Sequence, residues 1–487
     1  MNEPIARLFV FVVLLFALLV AFTSRWTIFQ AASLRRNSLN ARSLLEQRRI
    51  DRGAILASDG TVLAHSVPAP HARGSELFYE RSYPAGTQFA QAVGYWNIVL
   101  GSTGVERFRN EELSGQTGTN LQRVLDQLQG RRQQGNEVIT SLVPAAQRVA
   151  NSVLAGREGA IVALQPRTGA VQVMASSPSF NPNALRSPNA HEALLAGSPG
   201  KPLVNRATQF GYAPGSTFKV LTATAAIDSG AFTPQSTVSG RDNVRISGVP
   251  LQNDQNESFG QLTLTQGLVK SVNTVWAQVA ERLGKRTIAR YMSRFGFDRK
   301  PALDYPSQEM SSSGEYLGAR LLSPTSARVD VGRLGIGQDK LEVTPLQMAQ
   351  VAAAVANGGR LMAPRLVQRI VDRDGRTVQR ISPQVQSVVM KPSAAAAVRG
   401  MMEAVVREGT GTAAQIPGVQ VAGKTGTAQT GNSRQAVAWF VSFAPAAVNP
   451  QVAVAVVVED APVNSDLVSG NGLAAPVAKA VMQAVLS

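Results

Sequence analysis

Cysteine is absent from this 487-residue chain, and histidine occurs only three times. The first absence excludes a thiol nucleophile, disulfides and thiolate metal sites. The histidines, His65, His71 and His191, are scattered and all precede the part of the chain that carries its motifs. A histidine-based triad or metal cluster is therefore not expected, and His71 and His191 should lie at the surface. Acidic residues are also scarce: 32 Asp and Glu stand against 48 Lys and Arg, for a net charge of +16, with Arg far in excess of Lys. Such a surplus suits an anionic membrane face or an anionic polymer. A genome biased toward Arg codons would give the same count without any binding. No helix-turn-helix, zinc-finger or RNA-binding strand pattern accompanies the charge, so nucleic acid is not an expected partner.

Long apolar runs are rare too, and the longest lies at the N-terminus. Leu8 to Phe22 is unbroken, with Ile5-Ala6 before it and Thr23 after it. This approaches the roughly 17–25 residues that cross a bilayer. No Ala-x-Ala site follows, which predicts an uncleaved anchor. Arg7 precedes the run, whereas Arg25, Arg35, Arg36 and Arg42 follow it. That asymmetry alone would leave the bulk of the chain in the cytoplasm, but the rule is weak for long translocated domains.

Three short strings then carry the chemistry: Ser216-Thr217-Phe218-Lys219, Ser271-Val272-Asn273 and Lys424-Thr425-Gly426-Thr427. Together they supply a nucleophilic hydroxyl, an amine base, a second hydroxyl beside a carboxamide, and a cationic strand. These are the parts for acyl transfer through a serine ester without histidine. Ser-x-x-Lys also occurs at Ser198-Pro199-Gly200-Lys201, where Pro-Gly makes a turn that keeps the two side chains off one helix face. Ser-x-Asn occurs five times; Lys-Thr-Gly occurs once.

Context selects among the copies. Tyr212-Ala-Pro-Gly reads as a turn, so Ser216 is expected at a helix N-cap with Lys219 one turn later on the same face. The bland reading is a capping serine beside a solvated lysine, but Val220 to Ala226 leaves no polar face, which predicts a buried Lys219 with a depressed pKa. Ser271 and Asn273 are expected between two helical stretches, Leu262–Val269 and Thr274–Leu283, and on their own would pass for an ordinary helix boundary. Lys424–Thr427 is expected in an edge strand, followed by apolar strands over Ala436–Phe443 and Val452–Val458. Gly426 would let a ligand backbone lie close. A bare edge guarded by a charge is the competing reading.

The organisation follows. Residues 1–26 form the anchor and 27–155 a non-catalytic pedestal, including a polar helix-like stretch over 31–49 and a flexible run at 130–135. Residues 156–487 form the catalytic domain. That domain should open with a hairpin, Ala160–Leu164 and Val171–Ala175 around Pro166–Gly169, and close with a helix over Leu473–Leu486. Strands at both ends with helices between predict an α/β (α+β) fold, with a mainly antiparallel sheet covered by helices and an all-helical lobe around Ser271.

The three strings resemble those of class B penicillin-binding proteins, monofunctional peptidoglycan D,D-transpeptidases, and the pattern is most similar to their actinobacterial members. Further shared strings are Arg52-Gly-Ala-Ile55 with Asp59-Gly60, Gly104-Val-Glu106, Gly159-Ala-Ile-Val-Ala-Leu164, Pro166-Arg-Thr-Gly169 and Asn205-Arg-Ala207. Late in the chain come Gly335-Ile-Gly-Gln338, Thr344-Pro-Leu-Gln-Met-Ala349, Ala356-Asn-Gly-Gly359 and Ala438-Trp-Phe440. The resemblance implies the penicillin-binding transpeptidase fold, a pedestal of the dimerisation type, and no cofactor or metal.

It further implies that Ser216 attacks between the terminal D-alanines of a stem peptide and that Lys219 takes its proton. Ser271 would relay a proton to the leaving D-alanine, and Asn273 would bind Lys219 and the substrate amide. Lys424 would depress the Lys219 pKa. The backbone N–H groups of Ser216 and Thr427 would form the oxyanion hole, while Thr425 and Thr427, beside Gly426, would hold the substrate carboxylate. An amine of a second stem peptide would complete the cross-link, and β-lactams would acylate Ser216. The catalytic domain is then expected outside a single membrane span, with a multi-spanning membrane glycan polymerase of the shape, elongation, division and sporulation type as partner. Two other readings stay open: a D,D-carboxypeptidase or serine β-lactamase that passes the acyl group to water, and a non-catalytic β-lactam sensor or wall-binding scaffold.

Overall fold

The computed structural model describes residues 3–25, 46–69, 78–116, 133–187, 200–429, 435–447, 449–462 and 470–487. His71, His191, Ser198, most of the stretch at 31–49 and half of that at 130–135 lie outside them. The N-terminal run is a helix, Glu3–Ser24, of 22 residues with mean hydropathy 2.9 and no buried residue. At 1.5 Å per residue it spans about 33 Å, long enough and apolar enough to cross a membrane.

Two sheets organise the rest. The first has six strands in the spatial order Thr377–Arg380, Val367–Val371, Glu137–Thr140, Ile55–Leu56, Val62–Pro68 and Tyr79–Ser82. All its pairings are antiparallel except that of Ile55–Leu56 with Glu137–Thr140. Two of its strands come from far along the chain. The hairpin Val367–Arg380 pairs with Glu137–Thr140, in the register Val367 to Thr140 and Val371 to Glu137.

A buried ion cluster crosses this pedestal and joins two of the strings shared with the family. The Glu106 carboxylate accepts from Arg52 Nη2 at 3.0 Å and from Arg81 Nε at 2.6 Å, and the Arg52 guanidinium also stacks on Trp96 with 5.0 Å to the ring centroid. Burial pushes the Glu106 carboxyl up, but the Arg81 and Arg52 charges outweigh it and hold the group below the usual carboxylate range.

The second sheet has five antiparallel strands in the order Ala422–Gln429, Gln435–Ala444, Val452–Pro462, Glu158–Leu164 and Val171–Ser177. The expected opening hairpin and the three late strands are all present. Val452 to Val458 reads as an unbroken apolar run because the strand is covered on both faces. Val454 and Val456 pack in a cluster with the helices Pro144–Leu154 and Ala475–Leu486. Ala455 and Val457 face the helix Pro345–Ala356 on the other side. The closing helix is preceded by a wide π turn at Gly470–Ala474.

The lobe around Ser271 holds the helices Lys219–Asp228, Leu264–Val269, Asn273–Phe295 and Pro392–Glu408. It is not all-helical, however: two short antiparallel ribbons, Thr237–Ser239 with Gln261–Thr263 and Val244–Ile246 with Val249–Leu251, pack on it, and Leu262 belongs to the first of them. The two sheets exchange elements across residue 155. The helix Pro144–Leu154 packs on the second sheet, and the 367–380 hairpin completes the first.

Candidate active site

Ser216 does not cap a helix. It lies inside a tight 3₁₀ turn, Gly215–Phe218, which runs into the helix Lys219–Asp228. The capping expectation fails because the α-helix opens only at Lys219, with Phe218 at its N-cap and no side-chain cap bond.

The turn is braced from several sides. Trp439 Nε1 donates to the Ala213 carbonyl at 3.0 Å. The Tyr212 hydroxyl donates to Glu459 Oε1 at 2.6 Å, and Tyr212 forms an isolated bridge to Val343. Gly215 has φ +51° and donates its N–H to the Gly337 carbonyl at 3.0 Å. A Cβ at Gly337 would stand 2.0 Å from the Gly215 carbonyl oxygen, so the Gly335–Gln338 string presses bare backbone against the serine turn.

Gly426 serves the same contact. A Cβ there would meet the Pro214 carbonyl oxygen at 2.8 Å and Thr217 Cγ2 at 2.9 Å. The missing side chain thus makes room for the serine turn. The edge strand and the nucleophile are locked side by side by glycines on both partners.

Lys219 is fully buried. Its Nζ lies 2.6 Å from the Ser271 carbonyl oxygen, 2.7 Å from Asn273 Oδ1 and 3.4 Å from Ser271 Oγ. Two strong acceptors match the two N–H bonds of a neutral amine and leave its lone pair free. Burial pushes the Lys219 ammonium well below its ordinary range, the Lys424 charge pushes the same way, and Asp254 opposes both. Among the described residues Ser216 Oγ is not a hydrogen-bond partner of Lys219; such bonds often tighten only when substrate binds.

Ser271 sits between two helices, as expected, but in the left-handed region at φ +58°. A serine is uncommon there. The reversal aims its carbonyl at Lys219 while its hydroxyl accepts from Lys424 Nζ at 2.9 Å. Asn273 starts the following helix and also donates Nδ2 to the Gln252 carbonyl at 3.3 Å.

Lys424 is fully buried, and its second strong partner is the Thr425 carbonyl at 3.0 Å. Burial lowers its pKa to about 7, with the Asp254 charge working against the fall. Ser271 Oγ is therefore shared by two buried lysines. Thr425 is buried with its hydroxyl 2.7 Å from Thr410 Oγ1, whereas Thr427, two residues on along the edge strand, is exposed.

The three segments that carry the eight sequence-predicted residues thus meet at one site. Sequence reasoning missed the roles of Thr410, Tyr212 and Asp254. Trp439 was visible as part of a shared string but carried no signal of its contact with Ala213.

Comparison with known proteins agrees with this geometry. Residues 159–483 match the family model described as penicillin binding protein transpeptidase domain, and residues 52–138 match penicillin binding protein A dimerisation domain. The chain is 34% identical to the peptidoglycan D,D-transpeptidase PbpA of Mycolicibacterium smegmatis, over 100% of this chain and 99% of that protein. It is 33% identical to the PbpA of Mycobacterium tuberculosis, over 100% and 99%. Among solved structures, the imipenem acyl-enzyme complex of penicillin-binding protein A from M. tuberculosis superposes with a TM-score of 0.80 at 31% identity, covering 91% of this chain and 100% of that one. The penicillin G acyl-enzyme complex of the same protein gives 0.78 at 31%, covering 90% and 100%.

Proposed function

The chain belongs to the penicillin-binding protein transpeptidase family, and from that premise we propose that it is a peptidoglycan D,D-transpeptidase working through an ester on Ser216. The observation that carries this reading is the paired placement of Lys219 and Lys424 around Ser271. One buried lysine is neutral enough to be a base, and the other supplies charge at the edge strand.

Ser216 Oγ attacks the carbonyl between two terminal D-alanines, and its proton passes to the lone pair of Lys219. The oxyanion that forms lies against the backbone N–H groups of Ser216 and Thr427. The contact of the serine turn with the edge strand supports this, and one such donor is typically worth about 3 kcal/mol. Ser271, within reach of both lysines, relays a proton to the leaving amine. Asn273 orients Lys219 and binds the substrate amide. Thr427, with Thr425 behind it, receives the terminal carboxylate beside the Lys424 charge. An amine of a second stem peptide then takes the acyl group. β-Lactams enter by the same attack and leave a stable ester.

The helix Glu3–Ser24 anchors the chain, with residues 27–487 on the outer face of the membrane. This region offers no candidate for glycan polymerisation, so a multi-spanning polymerase is the partner. It contacts the anchor and the pedestal around Arg52–Ser58, which leaves the catalytic cleft free. Replacing residues 5–24 by an unrelated membrane helix should weaken co-purification with that polymerase; unchanged recovery removes the anchor from the contact.

Mass spectrometry of the penicillin-treated protein tests the nucleophile. A single adduct on Ser216, absent from Ser216→Ala, is expected. An adduct on Ser271 or Ser198 overturns the assignment. With a stem-peptide substrate, cross-linked dimer is expected, and free tetrapeptide alone defeats the transpeptidase reading.

A further inference from the structure

We propose that Asp254 docks the ammonium group of the acyl acceptor, a primary amine on a second peptide strand, and so favours cross-linking over hydrolysis. The inference rests on the transpeptidase reading above.

The argument begins with charge. After acylation the leaving D-alanine has carried away the donor's terminal carboxylate, and Lys424 remains. The acceptor amine is cationic in neutral water, so it must approach a cationic cleft. A negative group at the rim would offset that repulsion. Asp254 is exposed. It directly follows Gln252 and Asn253, which bond Asn273 and Thr274 at the edge of the site, and its charge opposes the fall in the pKa of both Lys219 and Lys424.

The chain around Asp254 is firmly held. The Gln252 carbonyl accepts from Asn273 Nδ2 at 3.3 Å, so the segment touches the site two residues before the carboxylate. Asn253 is buried and uses its whole polar inventory. Its Nδ2 donates to the carbonyls of Gly240 at 3.0 Å and Glu257 at 2.9 Å. Its Oδ1 accepts from Thr274 N at 3.0 Å, beside Asn273, and its backbone N–H donates to Asp242 Oδ1 at 2.6 Å. Directly after Asp254, Gln255 and Asn256 have φ +52° and +56°. Consecutive left-handed residues other than glycine are costly and persist only where the surroundings impose them. The loop is pinned on one side of Asp254 and sharply reversed on the other, and it lies beside the segment that carries Asn273.

The step balances as follows. The docked ammonium first loses one proton to solvent. The amine nitrogen then attacks the ester carbonyl, a C–N bond forms and the bond from carbon to Ser216 Oγ breaks. The second proton of the attacking nitrogen passes through Lys219 to Ser216 Oγ.

The test compares the fates of one acyl-enzyme, so the rate of its formation cancels. The detergent-solubilised full-length chain is acylated with a D-alanyl thioester. It is then partitioned between water and either D-alaninamide, a cation without a carboxylate, or neutral methanol. In Asp254→Asn the ratio of amide to hydrolysed product should fall about tenfold, while the methanol ratio stays within about twofold. Asp254→Glu should keep most of the amide ratio. High salt should bring the parent toward Asp254→Asn. An Asp254→Asn amide ratio within about twofold of the parent overturns the inference, as does an equal fall with methanol, which would mark the loop as merely structural. A parent enzyme that forms no amide at all overturns the transpeptidase reading itself.

Discussion

The pedestal and the catalytic domain each bury a small group of charges, and the two groups are built on opposite plans. In the pedestal, Arg52 and Arg81 close on Glu106, so each buried cation has a counter-charge within hydrogen-bond distance. In the catalytic cleft, Lys219 and Lys424 share the Ser271 hydroxyl, and their hydrogen-bond partners among the described residues are neutral. Both groups are shut away from water, so the desolvation cost is similar in kind. Only the pairing differs. With a partner, the buried charge is kept. Without one, the cheapest escape is to give up a proton, and a lysine becomes an amine at neutral pH. Arginine could not take that escape, since it does not lose its proton in proteins.

The largest effect should come from forcing the catalytic pair to behave like the pedestal. Lys219→Arg keeps a cation but removes the neutral state, and penicillin acylation should fall by about 10³-fold or more. Stopped-flow acylation of folded variant measures this, and a rate within about tenfold of the parent would defeat general-base catalysis by Lys219. The converse change is Glu106→Gln, which leaves two buried guanidinium groups without a counter-charge. It should destabilise the protein by about 3–5 kcal/mol in denaturant melts, with acylation per folded molecule nearly unchanged. A slow but stable variant would mean that the pedestal cluster serves the chemistry instead.

Smaller in effect is a buried acid that sharpens the contrast. Glu315 is fully buried with both carboxylate oxygens unpaired. Burial, helped by the Asp339 charge, raises its pKa to about 8. A raised carboxyl binds its proton more tightly when folded. Its contribution is therefore complete below the unfolded value of 4.5 and is lost as pH climbs toward about 8. The loss is at most about 1.4 kcal/mol per pH unit across that window. Glu315→Gln should flatten this dependence, and an unchanged slope between pH 5 and pH 8 would show that Glu315 is ionised in the fold.

The pH profile of acylation by the parent should be a bell. It rises as Lys219 loses its proton and falls as Lys424 loses its own near about 7. Lys424→Arg should abolish the falling limb even if the maximum is lower. The smallest effect should be that of deleting residues 1–26, since neither charge group touches the anchor helix. Acylation should stay within about twofold, and a folded but unreactive truncation would show that the anchor shapes the cleft.

How much of this was legible depends on the range over which each feature is encoded. Ser216, Lys219, Ser271, Asn273 and Lys424 could be named because three strings, two of them weak singly, stand in one order and in local contexts that select among their copies. The burial of Lys219 could be read from the apolar residues that follow it. The strand core Val452–Val458 announced itself because a segment covered on both faces has no polar alternation to lose. The left-handed Ser271 could not be anticipated, since nothing in Lys-Ser-Val-Asn asks for a positive φ; the surrounding helices impose it. The contact of Gly426 with the serine turn could not be read, because its neighbour Pro214 is distant in sequence. The pairing of Val367–Val371 with Glu137–Thr140 was invisible for the same cause. Each segment has strand character, but neither names its partner.

That last pairing bears on heredity. A recombination event that joined the first 155 residues of this gene to a foreign catalytic half would deliver a pedestal sheet missing two of its six strands. The strand Glu137–Thr140 would be left as a raw edge, open to pairing with other chains. Exchange between relatives is tolerable only where the incoming half brings a hairpin that fits the resident sheet, so the two regions are bound to be inherited together.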